Sequence, residues 1–332
     1  MMYKKEHSEI DGVKIYIENL DNYIAESYLL LSNHNRYNEF FLHKYINQEK
    51  RREYFDSLVN AYLHNYNNIR ELLGKIRPYV DVDNVLNVNT SRDNVVNATL
   101  KDYMYLQRDW CYYKDGEAQI SKTVESIIQK ILPSEMENAL FLGCGVGRLA
   151  VEFSNFFTKI LATDKSYSMI WHITKLLSDT NFEFYTPQEK NIYSLENVAQ
   201  KHLASISDNL KSKIKEKVDF FVSDVLDLPL EKDCMDAVFS IYFTDVIALN
   251  LWFEKINSII KKGGYFIHFG PLDYFFSAES EMLTAQEFKA FFEENGYETI
   301  TDEIIETSHL NDSNSFSYKV YRNWLFIAKK NY

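Results

Sequence analysis

The sequence predicts an α/β fold, a mostly parallel sheet covered by helices on both faces, behind a helical N-terminal segment. Three observations predict it. Past residue 100 short apolar runs alternate with amphipathic stretches of helical period. The first of those runs ends in a glycine-rich turn that opens a helix. The chain, at 332 residues with 46% hydrophobic and 15% aromatic positions, is long and apolar enough to bury both faces of such a sheet. Only 10 Gly and 5 Pro occur, which excludes collagen-like and low-complexity classes. A net charge of −12 disfavours nucleic acid as a partner, because phosphate backbones need a surplus of Lys and Arg.

Taken in order, residues 12–76 read as helices, since Phe55, Leu58, Val59, Tyr62, Leu63, Tyr66, Ile69, Leu72, Leu73 and Ile76 recur at spacings of three and four. The polar stretch Ser32-Asn33-His34-Asn35 interrupts the pattern upstream. That stripe packs on the rest of the chain or forms a homodimer face. Pro78 ends the last helix, and the Asp/Asn-rich run from Asp81 to Asn97 reads as a connector. Residues 1–100 are thus a helical extension and 101–332 the α/β domain.

Strands are expected at Ala139 to Leu142, Ile160 to Thr163, Val218 to Val222, Ala237 to Tyr242 and Tyr265 to Phe269, with helical patterns from Arg148 to Phe157 and through Trp171 and Leu177. A polar, helix-prone insertion occupies about 179–217. Two final runs, Tyr297 to Ile305 and Trp324 to Lys329, read as an antiparallel edge. No internal repeat is visible.

Cys111, Cys144 and Cys234 are odd in number and far apart, which fits neither a disulfide framework nor a CxxC metal site. With no secretory signal in Met1 to Asp11 and no run of about 20 apolar residues, a cytoplasmic location without membrane insertion is expected. Asn89 and Asn97 then head acceptor-like Asn-x-Ser/Thr triplets by chance. No HxH or HExxH spacing occurs, so no metal is expected.

The chemistry concentrates at Gly143-x-Gly145-x-Gly147, which follows the strand Leu140-Phe-Leu and opens a helix. Glycines there either let backbone approach a bound nucleotide or merely permit a tight turn. Asp164 ends the next strand, where a carboxylate can accept from both ribose hydroxyls. A dinucleotide fingerprint needs Gly-x-Gly-x-x-Gly, yet its sixth position here is Arg148.

The glycine spacing, Asp164, Ser223-Asp224-Val225 and Lys261-Lys-Gly-Gly264 resemble class I S-adenosylmethionine-dependent methyltransferases. Arg108-Asp109-Trp110, Gly145-x-Gly147-Arg148-Leu149-Ala150, Phe243-x-Asp245, Gly270-Pro271-Leu272-x-Tyr274, Tyr321 and Leu325-Phe326 follow the order of the carnosine N-methyltransferase family. This likeness covers about residues 105–330.

The resemblance implies a Rossmann-like, seven-stranded, mostly parallel sheet and S-adenosyl-L-methionine as cofactor. It places the cofactor at Arg108, Gly143, Gly145, Gly147, Arg148, Asp164, Asp224, Val225 and Ile241. Arg108 is expected on the cofactor carboxylate or else in a surface salt bridge. It implies an imidazole or amine acceptor on a small histidine-containing molecule or peptide. Asp245 is then the catalytic, substrate-orienting carboxylate, with a helix N-cap as the alternative. Tyr274 and Tyr321 line the substrate pocket or are core aromatics, and His268 faces the site or is a buried structural histidine. The family's histidine after the Gly-Pro-Leu-x-Tyr tyrosine is Phe275 here, and its His-Asn pair is absent from Val246-Ile-Ala-Leu-Asn250. The Phe275 departure leaves open a different nucleophile, such as a carboxylate, an α-amine or a side chain of a modified peptide, and a noncatalytic cofactor-binding partner protein is the further alternative.

Overall fold

The computed structural model describes residues 2–81, 83, 85, 102–131, 136–178 and 181–331. Most of the expected connector, both Asn-x-Ser/Thr asparagines and the 100/101 junction lie outside the described residues. The chain begins with β1 (Ser8–Ile10), β2 (Val13–Tyr16), α1 (Leu20–Tyr45), α2 (Arg52–Ile76), α3 (Asp102–Trp110) and α4 (Lys114–Ile128). It continues with β3 (Asn138–Leu142), α5 (Arg148–Phe153), β4 (Lys159–Asp164), α6 (Tyr167–Leu177), β5 (Phe182–Pro187), β6 (Ala199–Ala204) and α7 (Asp208–Lys217). The last third holds β7 (Val218–Ser223), β8 (Met235–Ile241), α8 (Leu249–Ile259), β9 (Ile260–Gly270), α9 (Ala285–Glu294), β10 (Tyr297–His309) and β11 (Lys319–Lys330).

One sheet runs β1-β2-β7-β4-β3-β8-β9-β11-β10. Strands β7, β4, β3, β8 and β9 are parallel, whereas β11 pairs antiparallel with both β9 and β10. The five parallel strands read as unbroken apolar runs because helices cover both faces. In β3, Ala139, Leu140, Phe141 and Leu142 are all buried, and Phe141 stacks on Phe239 at 4.4 Å between centroids. The order reverses at β3, with β4 on one side and β8 on the other, which opens a crevice at the carboxyl ends of β3 and β8. Among the described residues no helix is long and apolar enough to cross a membrane.

The seven expected strands form, but the sheet has nine, because residues 8–16 make a hairpin where the sequence reading started helices at residue 12. Asp11 (φ 50) and Gly12 (φ 81) are both left-handed, the geometry of a two-residue turn whose twist suits flanking strands. β2 then joins β7 in parallel, Ile15 opposite Val222. Nor does the polar stretch 32–35 break a helix. α1 runs through it, with Asn19 capping the Asn22 N–H at 3.1 Å and His34, Asn35 and Asn38 buried.

The insertion is also corrected: it holds a hairpin, β5 against β6, with a 3-10 turn at Leu195–Asn197 between the strands, and its α-helix is confined to Asp208–Lys217. Alternation of buried Phe182 and Phe184 with Glu183 and Tyr185 is a strand period, and Phe184 packs on Tyr103 at 5.1 Å. The α2 stripe faces α1 and this hairpin, with Leu58, Tyr62, Ile69, Leu72 and Ile76 buried. Much of the stripe is therefore packed within the chain, while Leu63 points outward.

His268 is core. It is fully buried on β9, its Nδ1 bonded to Thr244 Oγ1 at 2.9 Å and its ring 5.3 Å from Trp324. It lines no cleft, which corrects its assignment to substrate binding. Burial lowers its pKa to about 4, while the unfolded chain holds a histidine near 6.5.

Two tests follow from this packing. Ile15→Ala removes a side chain only 2% exposed and should cost about 2–4 kcal/mol in urea unfolding; a loss under about 0.5 kcal/mol would make the hairpin peripheral. For His268 the unfolded chain binds the extra proton between pH 6.5 and about 4, so stability falls as pH drops through that window. Replacing it in His268→Gln should shift the stability difference about 2 kcal/mol in the variant's favour between pH 7.5 and 5. A pH-independent difference would contradict the buried neutral imidazole.

Candidate active site

The glycine turn is held from three directions. The Cys144 N–H donates to Thr163 O at 2.9 Å, binding the turn to β4, and the Gly145 N–H donates to Asp164 Oδ2 at 2.9 Å. From α3, Trp110 Nε1–H donates to Val146 O at 2.8 Å. Gly147 (φ 86) sits where an added Cβ would meet Phe220 at 2.4 Å, so it is there for close packing. Gly145 (φ 56) differs: an added Cβ would meet nothing within 4 Å. Open space over a left-handed glycine beside a carboxylate fits a nucleoside cofactor approaching backbone.

Asp164 Oδ1 accepts the Ser166 N–H at 2.8 Å, so both its oxygens already hold backbone donors. Burial raises its pKa, and these N–H bonds oppose the rise. Asp224 caps the turn after β7 by accepting the Leu226 N–H at 3.0 Å and pairs with Lys165 at 2.7 Å. Val225 and Ile241 are buried beside it and at the end of β8.

The two arginines do different work. Arg108 forks onto its neighbour Asp109, Nε to Oδ1 at 2.5 Å and Nη2 to Oδ2 at 3.0 Å. Arg148 donates to Asp109 O at 2.6 Å, to Glu152 at 2.7 Å and to Glu117 at 3.1 Å, and lies over the Trp110 ring at 5.4 Å. Its donors fasten α3 and α4 to the start of α5. The Arg-Asp-Trp element is a clamp on the glycine turn.

Beyond β8 the chain enters Tyr242 with φ 56, its N–H donating to Phe269 O at 2.9 Å. Past this twist, Tyr242, Asp245 and Val246 line a cleft of ≈ 830 Å³. Asp245 lines it, 4% exposed, and its backbone carbonyl accepts the Phe275 N–H at 2.9 Å. The neighbouring Thr244 is fixed by Ser240 at 2.6 Å and by His268. Asp245 is therefore held from both sides, and no helix begins at it, since α8 starts at Leu249.

Phe275 and Tyr321 line the cleft as expected, but Tyr274 does not; its hydroxyl donates to Leu283 O at 2.7 Å and secures the loop that carries Phe275. Burial raises the Tyr274 pKa to about 12, with the Asp245 charge adding to the rise. Tyr242 and His309 are among the lining residues that the sequence analysis does not single out. Tyr242 directly follows Ile241 and was legible from its place at the end of a central strand. His309 lies at the end of β10, its ring 4.5 Å from Tyr321 and 5.2 Å from Tyr242. Nothing in the spacing marks it, because β10–β11 pairing brings it there. No group of three or more metal-ligating side chains occurs among the described residues.

The family model for carnosine N-methyltransferase matches residues 82–332. A carnosine N-methyltransferase from Dictyostelium discoideum is 21% identical over 247 residues, 68% of this chain and 53% of the relative, so the chain spans about half that relative's length. Among solved structures, a Pyrococcus horikoshii protein is 15% identical with a TM-score of 0.44, over 70% of this chain and 99% of that one. Magnesium protoporphyrin IX methyltransferase from Synechocystis, solved with bound SAH, is 10% identical with a TM-score of 0.42, over 69% and 93%. With its family match running over residues 82–332, the chain belongs to the carnosine N-methyltransferase family.

Proposed function

We propose that the protein N-methylates an imidazole, or a related amine, of a small histidine-containing molecule or peptide, with Asp245 orienting the acceptor. The observation that carries this reading is the buried Asp245 carboxylate, anchored in the cleft at the carboxyl end of β8. S-adenosylmethionine supplies an activated methyl group, so the protein needs no strong base. Gly143, Gly145 and Gly147 would admit the cofactor to the backbone, Asp164 would hold its ribose and Asp224 and Val225 its base, with Ile241 beneath. Arg108 reaches a cofactor carboxylate by sharing or exchanging its partner Asp109.

A neutral imidazole has one nitrogen lone pair and one N–H, and with a reference pKa of about 6.5 it is mostly neutral at pH 7. Asp245 would accept that N–H. The opposite nitrogen then presents its lone pair, and positive charge developing on the ring is met by the carboxylate. Tyr242, Tyr321 and Phe275 supply aromatic walls that exclude water.

Phe275 supports a second reading. It lines the cleft, 56% exposed, where the family pattern has a histidine, so a carboxylate, α-amine or side chain of a modified peptide is the alternative acceptor.

Mass-spectrometric assay of carnosine, other histidine peptides, free histidine and simple amines separates the two readings. Methyl gain on imidazole nitrogen upholds the first; gain only on another group transfers the site to the second. Asp245→Asn should lower kcat/KM about 100-fold or more with cofactor affinity nearly unchanged, and equal turnover would refute its role. Asp164→Ala should weaken cofactor binding at least about tenfold by calorimetry, since bonds to a charged acceptor are lost. An unchanged Kd would remove Asp164 from the cofactor site.

A further inference from the structure

A separate cavity of ≈ 190 Å³ lies where α1 and α2 meet α3 and β5. Tyr37, Tyr62, Tyr103 and Tyr185 line it, four of eleven lining residues in a chain with 24 Tyr among 332, so the enrichment is local. Tyr37 and Tyr62 stand 6.4 Å apart with rings inclined by 63°, two walls at a steep angle. Tyr62 and Tyr103 are almost fully buried, while Tyr37 is 38% exposed and marks the mouth. Tyr185 is set by a reciprocal pair with Asn65, whose Nδ2 donates to Tyr185 O at 2.9 Å while Oδ1 accepts the Tyr185 N–H at 3.0 Å.

The charge pattern selects the ligand. Among the described residues no Lys, Arg, Asp or Glu lines the cavity, and beside it lies Glu189, which accepts from Tyr62 Oη at 3.1 Å. Burial raises the pKa of Tyr37, Tyr62 and Tyr103, keeping them neutral phenols. Aromatic faces offer negative potential to a cation, and such cages recognise quaternary and methylated ammonium groups. An anion would find no positive side chain, and a hydrocarbon would desolvate the His34, Asn38 and Asn65 wall.

We propose that this tyrosine cage binds an organic ammonium ion. Met104 lines the cage, the Asp245 cleft and a third cavity beside Arg108, so one flexible thioether stands between the cage and the cleft. The ammonium belongs to the acceptor's far end or to a separate small molecule; the shared chemistry is the cation. The inference does not depend on which nucleophile is methylated.

The test is equilibrium binding of choline to the S-adenosylhomocysteine-loaded protein, beside its uncharged isostere with carbon in place of the quaternary nitrogen. Choline should bind saturably and about tenfold or more tighter than the isostere. Tyr37→Leu should weaken it at least about fivefold, whereas Tyr37→Phe, which keeps the ring, should stay within about twofold. Equal affinity for choline and isostere, no saturable binding, or an unchanged Kd in Tyr37→Leu overturns the proposal. Competition between choline and the methyl acceptor assigns the cation to the acceptor, and additive binding assigns it to a separate ligand; either upholds the cage. Choline binding without imidazole methylation would sink the acceptor reading alone, and methylation without choline binding would sink the cage alone.

Discussion

The bond from the Gly145 N–H to the Asp164 carboxylate couples the glycine turn after β3 to the end of β4. A turn of three left-handed glycines costs more chain entropy on ordering than any other, so it needs outside partners to stay in one shape. Asp164 supplies one from β4. Trp110 supplies a second from α3, and Arg148 returns the link by donating to Asp109 O. Removing any one strand of this arrangement loosens the ground on which the others stand, because a buried carbonyl or carboxylate loses its donor. The Arg-Asp-Trp element is thus explained by mechanics: it is the outside half of the glycine turn.

The same logic operates across the crevice. Asp245 is buried enough for its charge to act strongly on a ligand, and it holds its place because Thr244 is fastened to Ser240 and His268 while its own carbonyl takes the Phe275 N–H. A core histidine therefore contributes to the site without touching it. Burial keeps that imidazole neutral, able to share one hydrogen bond with Thr244 and one with Gly270 O, where a cation would be stranded in the core.

What the sequence disclosed follows from the range of each interaction. The parallel strands and the glycine turn were legible because local patterns create them, apolar runs and a strand-to-helix turn, whereas Asp245 came from the family resemblance of Phe243-x-Asp245. Asp11-Gly12 was equally local and was the hairpin signal that a helix-first reading passed over. The β5–β6 hairpin was harder, since Glu183 and Lys201 look like a solvated helix face until they pair across strands at 2.8 Å. His309 was not legible at all. Its approach to Tyr242 depends on the β10–β11 register, where Thr307 lies opposite Tyr321, and register is a tertiary quantity.

The N-terminal helices answer a problem set by the insertion. β5 has one edge turned away from β6, and an uncovered edge exposes backbone groups to unwanted pairing. Asn65 satisfies Tyr185 on that edge, and Asn68 and His64 reach Glu183 O at 2.8 and 3.0 Å, so α2 ends the small sheet with side chains. This explains why α2 carries polar residues on its buried face and why α1 stays helical through His34 and Asn35. A face built to cap a strand edge cannot be filled with aliphatic groups, and the residual space between the amides and the sheet is walled by tyrosine. Edge capping and the tyrosine cavity therefore share one cause, and the helices that close the edge also bring that cavity to Met104 at the lip of the Asp245 cleft.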